Sequence, residues 1–206
     1  MTCKYIEVCT ISQSADANWR KTMSHIFGRN KNCTRSIPEH VWMWMCRKHY
    51  QRSRYRNALE FHKALGRLVP RQILRILLWS NRNEDWKTPQ DGIVVGWTLA
   101  ARRREQLRLD DQERKRKASV DEDSPENDSE PSSPTTEGGV VPVWLLNERG
   151  SGKSALEIMK IALQISDDLQ AGRLSYYPDI EILPNITGDR AKPKNNRAKP
   201  RKTPQK

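Results

Sequence analysis

From Ala118 to Gly139 the chain reads ASVDEDSPENDSEPSSPTTEGG: seven acidic residues, no Lys or Arg, and only Ala118 and Val120 apolar. A run of this kind cannot bury enough surface to offset the entropy of ordering it, so it predicts a disordered acidic linker. Any core must therefore come from the flanks. The resulting division is a domain over 1–118, a linker over 119–139, a small module over 140–186 and a disordered basic tail over 187–206. Only 35% of the 206 residues are hydrophobic and mean hydropathy is −0.87, too little apolar material for one core along the whole length.

The two flanks and the linker differ sharply in charge. Residues 1–118 hold 25 Lys/Arg against 11 Asp/Glu, and residues 140–206 hold 12 against 7. An excess of this size in the first block seeks phosphate. No apolar run approaches a membrane span, and the first residues lack the apolar core of a secretory signal, so the membrane is excluded as partner and nucleic acid is expected.

All four cysteines, Cys3, Cys9, Cys33 and Cys46, fall in the first quarter of the sequence. Without a secretion signal, clustered thiols are more often metal ligands than disulfides. His49 follows Cys46 at a spacing that places both on one face of a helix, one turn apart, able to grip one ion. Cys3 and Cys9 frame a loop that can supply a second pair. Five candidates thus compete for the four positions of a tetrahedral zinc. Sequence alone leaves open which of the five is spare; Cys3, closest to the start, is one choice. His25 and His40 are weaker alternates.

Hydropathy patterning predicts a mainly α fold. Pro38 and Glu39 suit the first turn of a helix running through HVWMWMCRKHYQRSRYR. A second helix carries Leu65, Leu68, Ile73, Ile76, Leu77 and Trp79 as a stripe, with a kink or a break expected near Val69 before Pro70. Ser80–Asp91 reads as a loop and Gly92–Trp97 as a strand or docking segment. Thr98 to Lys117 reads as a charged helix. In the C-terminal module Ser154–Leu169 has helical periodicity and Pro178–Pro184 is extended. Together they suggest a small helical hairpin docked on the first domain or on a co-regulator protein.

Between Arg29 and Arg56 stand eight basic residues and one acid. Arg29, Lys31, Arg35, Arg47, Lys48, Arg52, Arg54, Tyr55 and Arg56 form the expected DNA-binding set, since Arg forks and Tyr suit phosphates, sugars and base edges. A helix rooted by zinc and bearing these residues would fit a major groove. Arg114, Lys115, Arg116 and Lys117 read as a nuclear import signal, and Ser119 beside them as a phosphorylation site. Ser124-Pro125 and Ser133-Pro134 suit proline-directed kinases.

The stretch SHIFGRNKNCTRSIPEHVWMWMCRKHYQRSRYRN (Ser24–Asn57) resembles a family of fungal transcription regulators carrying an HIFGRNK…CTR…HVW…CRKHYQRSRYRN block. The segments WTLAARRREQ and PDIEILPN look like further pieces of it. The C-x5-C opening is similar to WRKY–GCM zinc modules, and Cys46-x2-His49 resembles the closing pair of the plant WRC finger. No WRKY heptapeptide is present. The resemblance implies a nuclear protein that acts on DNA.

One motif points elsewhere. Gly150-Ser-Gly-Lys-Ser154 follows the apolar run VVPVWLLN and precedes a helix, as in a nucleotide-binding loop using Gly152, Lys153 and Ser154. Asn147 stands where that loop needs Gly, Pro142 disfavours a central strand, and no later apolar run ends in Asp. The expected role is a Gly-rich turn capping the helix from Ser154. No other residues form a catalytic set, so the expectation is a zinc-dependent DNA-binding regulator and not an enzyme. The alternative is an adaptor whose zinc domain binds protein.

Overall fold

The computed structural model describes Cys3, Cys9 and residues 18–29, 31–86, 92–120 and 141–187. Most of the acidic run, with Ser124 and Ser133, and the basic tail beyond residue 187 lie outside them. The elements run β1 (Trp19–Lys21), α1 (Asn32–Arg35), a 3-10 turn (Glu39–Val41), β2 (Trp44–Cys46), α2 (Arg47–Arg56), α3 (Ala58–Trp86), β3 (Val94–Ala101), α4 (Arg103–Val120), α5 (Val143–Asn147), β4 (Gly150–Lys153), α6 (Ala155–Gln170) and β5 (Ile180–Ile186).

The fold is mixed α/β, which corrects the mainly α expectation. Two stretches expected as helix are strands. Residues 98–101 belong to β3, where Trp97 and Leu99 are buried. Between them the Thr98 hydroxyl donates to Asn185 Oδ1 at 3.1 Å. An alternation of period two, matched by Leu183 and Ile182 opposite Thr98 and Leu99 on β5, outweighs the helix-forming run that follows. The helix starts only at Arg103.

The WMWMC stretch is the second case. Pro38 precedes a single 3-10 turn, after which the backbone extends and β2 pairs antiparallel with β1 (Trp19 opposite Cys46, Lys21 opposite Trp44). Buried Gln72 of α3 makes that break tolerable. Its Oε1 accepts from the Met43 N–H at 2.8 Å and its Nε2 donates to the Val41 carbonyl at 3.0 Å. Backbone groups that a helix would have satisfied are satisfied by a side chain.

β3 is the centre of a three-stranded antiparallel sheet in the order β4-β3-β5. The segment expected as a helical hairpin therefore contributes both outer strands, beside α5 and α6. α3 and α6 pack where α3 presents Gly66. A Cβ there would stand 3.0 Å from Leu169 Cδ1 and 3.2 Å from the Ser166 Cα. α3 also continues past Pro70 and on to Trp86, where a kink or a break and then a loop were expected. The N–H that Pro70 lacks would have met the Gly66 carbonyl. The α3 stripe read from the sequence is largely the buried one: Leu65, Leu68, Ile73, Ile76 and Trp79 join Trp97, Leu99, Ile158, Ile165, Ile180 and Ile182 in the core. Each such side chain contributes roughly 1.5–3 kcal/mol of transfer free energy.

The segment after β1 is fastened to the sheet edge. The Ile182 N–H donates to the Ile26 carbonyl at 2.7 Å, and Lys31 pairs with Glu181 at 2.6 Å. Gly28 has φ 68°, and a Cβ there would meet Leu183 Cδ2 at 2.5 Å, so both the turn and the close approach require glycine.

Candidate metal centre and adjoining groove

At the β2–α2 junction the chain turns from strand to helix at Cys46. Cys46 is the N-cap of α2, and its sulfur accepts from the His49 backbone N–H at 3.5 Å. The helix N-terminus thus faces a sulfur, which favours the thiolate. His49, three residues on, turns Nδ1 to within 3.2 Å of the Cys46 sulfur. Cys9 Sγ lies 3.9 Å from Cys46 Sγ and 3.4 Å from His49 Nδ1, and Cys3 Sγ lies 3.5 Å from His49 Nδ1. Cys3 bridges to Trp44 and accepts from the Cys46 N–H at 3.5 Å, which places it beside β2.

All four ligand atoms lie within 4.8 Å of one another. A tetrahedron with about 2.3 Å to sulfur and about 2.0 Å to nitrogen has edges of roughly 3.8 Å between sulfurs and roughly 3.6 Å from sulfur to nitrogen. The separations of 3.2, 3.4, 3.5 and 3.9 Å between these ligand atoms lie within about 0.4 Å of those edges, so Cys3, Cys9, Cys46 and His49 can hold a metal ion. The electrostatics agree. Burial, with Cys3 and Cys9 beside it, pushes the Cys46 thiol up, against the opposing His49 N–H. Burial, then Arg52 and Lys48, pushes His49 down, keeping the imidazole in its neutral, ligating form. A divalent cation would remove the cost of bringing buried thiolates together.

The candidate outside this cluster is Cys33, half-buried on α1. Cys3, the candidate nearest the start, is inside it. His40 follows Glu39 in the 3-10 turn.

α2, one end of which is this centre, forms a wall of a groove of about 1400 Å³. Tyr50, Gln51, Arg54 and Tyr55 line it from α2. Trp19, Arg20 and Lys21 line it from β1, and Arg29 and Arg35 from the segment that follows. Arg102, His62 and Tyr176–Ile180 complete it. Of the expected DNA-binding residues, Arg29, Arg35, Arg54 and Tyr55 thus meet in one concavity. Arg47, Lys48, Arg52 and Arg56 are exposed on α2 but do not line it. Lys31 is committed to Glu181.

No protein family, curated protein or solved structure matches this chain. What it does must be argued from its own residues.

Sequence reasoning named the helix around Arg102 as an extension of the basic surface but missed Arg20, His62, Tyr176 and Asp179 as parts of the groove. Nothing local marks Tyr176 and Asp179, which come beside Arg102 through the pairing of β3 with β5. Arg102 donates to Asp179 at 2.7 Å and Arg104 at 3.1 Å, while the Arg102 N–H donates to the Asp179 carbonyl. His25 lines the groove with its pKa lowered to about 4, chiefly by burial, with Arg102 and Arg54 adding to it against Asp179.

The remaining expected sites lie elsewhere. Lys117 pairs with Glu113 at 2.7 Å and Arg114 with Asp111 at 3.8 Å along exposed α4, which also carries Lys115. The side chains of Arg116 and Ser119 lie outside the described residues. In the Gly-rich motif, Gly150–Lys153 is β4, and Lys153 pairs with Glu148 at 2.8 Å. Ser154 caps α6: its hydroxyl accepts from the Glu157 N–H while the Glu157 carboxylate accepts from the Ser154 N–H.

Proposed function

We propose that this chain is a nuclear DNA-binding regulator in which zinc, held by Cys3, Cys9, Cys46 and His49, fixes the arginine-rich helix α2 against the body of the protein. One observation carries the reading. Two of the four clustered ligands are the N-cap and third residue of the same helix that presents Arg47, Lys48, Arg52 and Arg56 to solvent. Three thiolates and an imidazole at tetrahedral spacing suit zinc over the harder divalent ions, which prefer oxygen. Bound there, zinc would cross-link the Cys3 and Cys9 segment to the strand–helix junction and leave the outer face of α2 free to meet phosphate.

The exposed cations of α2 are arginines for the most part, whose planar forks bind phosphate bidentately. The Arg114–Lys117 run on exposed α4 supports the nuclear assignment.

The reading is tested with the zinc-loaded full chain and a mixed-sequence duplex, followed by fluorescence anisotropy across a salt series. If about five phosphates are contacted, log affinity falls with log salt at a slope of roughly −4 to −5. Replacing Arg47 and Arg52 together by Ala reduces affinity at least tenfold and lowers that slope by about 2. A protein that binds no duplex at low salt, with zinc in place, is not a DNA-binding regulator.

A further inference from the structure

We propose that the groove beside α2 is a seat for a single strand of DNA with unstacked bases. The inference rests on the DNA-binding reading above and assigns a second, distinct face of the same helix. Outward, α2 carries Arg47, Lys48, Arg52 and Arg56. Into the groove it carries Tyr50, Gln51, Arg54 and Tyr55.

Shape argues first. A volume of about 1400 Å³ exceeds the ~300–1,000 Å³ of ordinary small-molecule pockets, so the ligand is extended. A duplex reads a protein element that protrudes into its own groove. A recessed protein surface cannot do that, but it can receive a flexible strand.

The lining argues second. Tyr55 is 71% exposed and Tyr176 45% exposed, unusual for rings in a concavity unless their faces are meant for a ligand. Tyr176 is braced. Its ring stands edge-on to His62 with centroids 5.1 Å apart, and His62 is in turn edge-on to Phe61 at 5.6 Å. A braced ring loses little entropy when a base stacks on it. Bases within a duplex have no free faces, so rings in a recess can stack only on bases that are unpaired.

Charge and hydrogen bonding argue third. Arg20, Arg29, Arg35, Arg54 and Arg102 surround these rings. Among the described residues, both carboxylates of the lining are engaged, Asp179 by Arg102 and Arg104 and Glu39 by Lys21 at 3.7 Å. The groove therefore presents a net positive field to a phosphate backbone. His62 adds a directed donor. Its Nδ1 accepts from the Tyr177 N–H at 3.0 Å, so the neutral ring carries its proton on Nε2. Rings for stacking and arginines for the backbone are the two parts a single-strand site needs.

The test uses the zinc-loaded full chain and three labelled probes at one salt concentration: a 20-nucleotide oligo-dT, a blunt duplex of equal length and an oligo-U. Oligo-dT is expected to bind at least tenfold tighter than the duplex. Tyr176→Ala and Tyr55→Ala should each weaken it by about 5- to 100-fold, the range for losing one stacked base. Duplex affinity of Tyr176→Ala should stay within twofold, and Tyr176→Phe should restore the single-strand affinity. Both tyrosines are partly exposed, and an unchanged melting temperature shows that the variants fold. Duplex binding as tight as oligo-dT, unaffected by the tyrosine variants, overturns the groove assignment and leaves the regulator reading standing. Oligo-U bound tighter than oligo-dT overturns the choice of DNA. Failure of every probe removes both readings.

Discussion

Two regions of this molecule are held in different ways. At the β2–α2 junction, among the described residues, Cys3 and Cys9 meet the body through sulfur contacts and Cys3 bridges to Trp44. Around β3, the sheet and helices α3 and α6 enclose Trp97, Leu99, Ile158, Ile165 and Ile182, all at or below 1% exposure. The first region joins the core through Trp42, Met43 and Met45 and adds four clustered ligands that could hold a metal ion. The second draws its stability from apolar surface removed from water. They should therefore fail under different insults.

The largest expected effect is metal loss. The purified chain should carry one equivalent of zinc by mass spectrometry, and Cys46→Ala, Cys3→Ser or Cys9→Ser should carry none, because a buried three-ligand remnant holds zinc far more weakly. Cys33→Ser should keep the full equivalent. Chelation should cut DNA affinity at least 100-fold on the proposed reading while most of the far-ultraviolet helical signal survives, since α3 and α6 take nothing from the metal. If chelation melts both helices as well, the two regions are one cooperative unit and the contrast is broken.

Attacking the other region gives the converse. Trp97→Ala removes a ring that is 1% exposed at the centre of the sheet and should cost roughly 3–5 kcal/mol, read as a lowered denaturant midpoint. At low temperature the variant should still hold one equivalent of metal. A variant that releases its metal while folded would show that the sheet supports the ligand geometry directly.

Some of this contrast was legible in the sequence and some was not. Cys46 and His49 are three residues apart on one helix, so local spacing sufficed to pair them. Which other thiols join them was not legible, because Cys3, Cys9 and Cys33 are brought in or left out by tertiary packing. The α3 stripe was readable because a 29-residue helix repeats its signal many times. β2 was not, because three residues give period two no chance to declare itself, and Val41, Met45 and His49 happen to fit a helical face. The groove was half visible. Its α2 wall is one continuous basic stretch, but Arg102 and Tyr176–Asp179 enter only through the pairing of β3 with β5.

A smaller effect sharpens the link between the regions, since His25 sits where the groove meets the body. Its folded pKa, about 4, lies below the unfolded value of about 6.5, so the fold keeps the ring neutral. The stabilisation is complete above about pH 6.5 and is lost as pH falls toward 4, by at most ~3 kcal/mol. Urea midpoints measured between pH 7.5 and 5, with metal content checked at each point, should show this slope in the wild type and a shallower one in His25→Asn. Equal slopes would mean that His25 is not the group responsible.

The smallest effect concerns Ser154, the residue that gave the Gly-Ser-Gly-Lys-Ser motif its nucleotide-binding look. Its hydroxyl accepts from the Glu157 N–H at 3.2 Å, and the Glu157 carboxylate reaches back to the Ser154 N–H at 2.8 Å, closing the first turn of α6. The Ser154 hydroxyl also donates to the Glu157 carboxylate at 2.6 Å, and that bond first, then the backbone bond, draws the Glu157 carboxyl below its usual range. A cap of this kind is worth about 1 kcal/mol. Ser154→Ala should therefore lower the stability of the apolar region by about that much, leave metal content and DNA affinity unchanged, and respond no differently to added ATP than the wild type. A melting temperature raised by ATP in the wild type and not in Ser154→Ala would instead give this serine to a nucleotide site, and the cap would be only its resting arrangement.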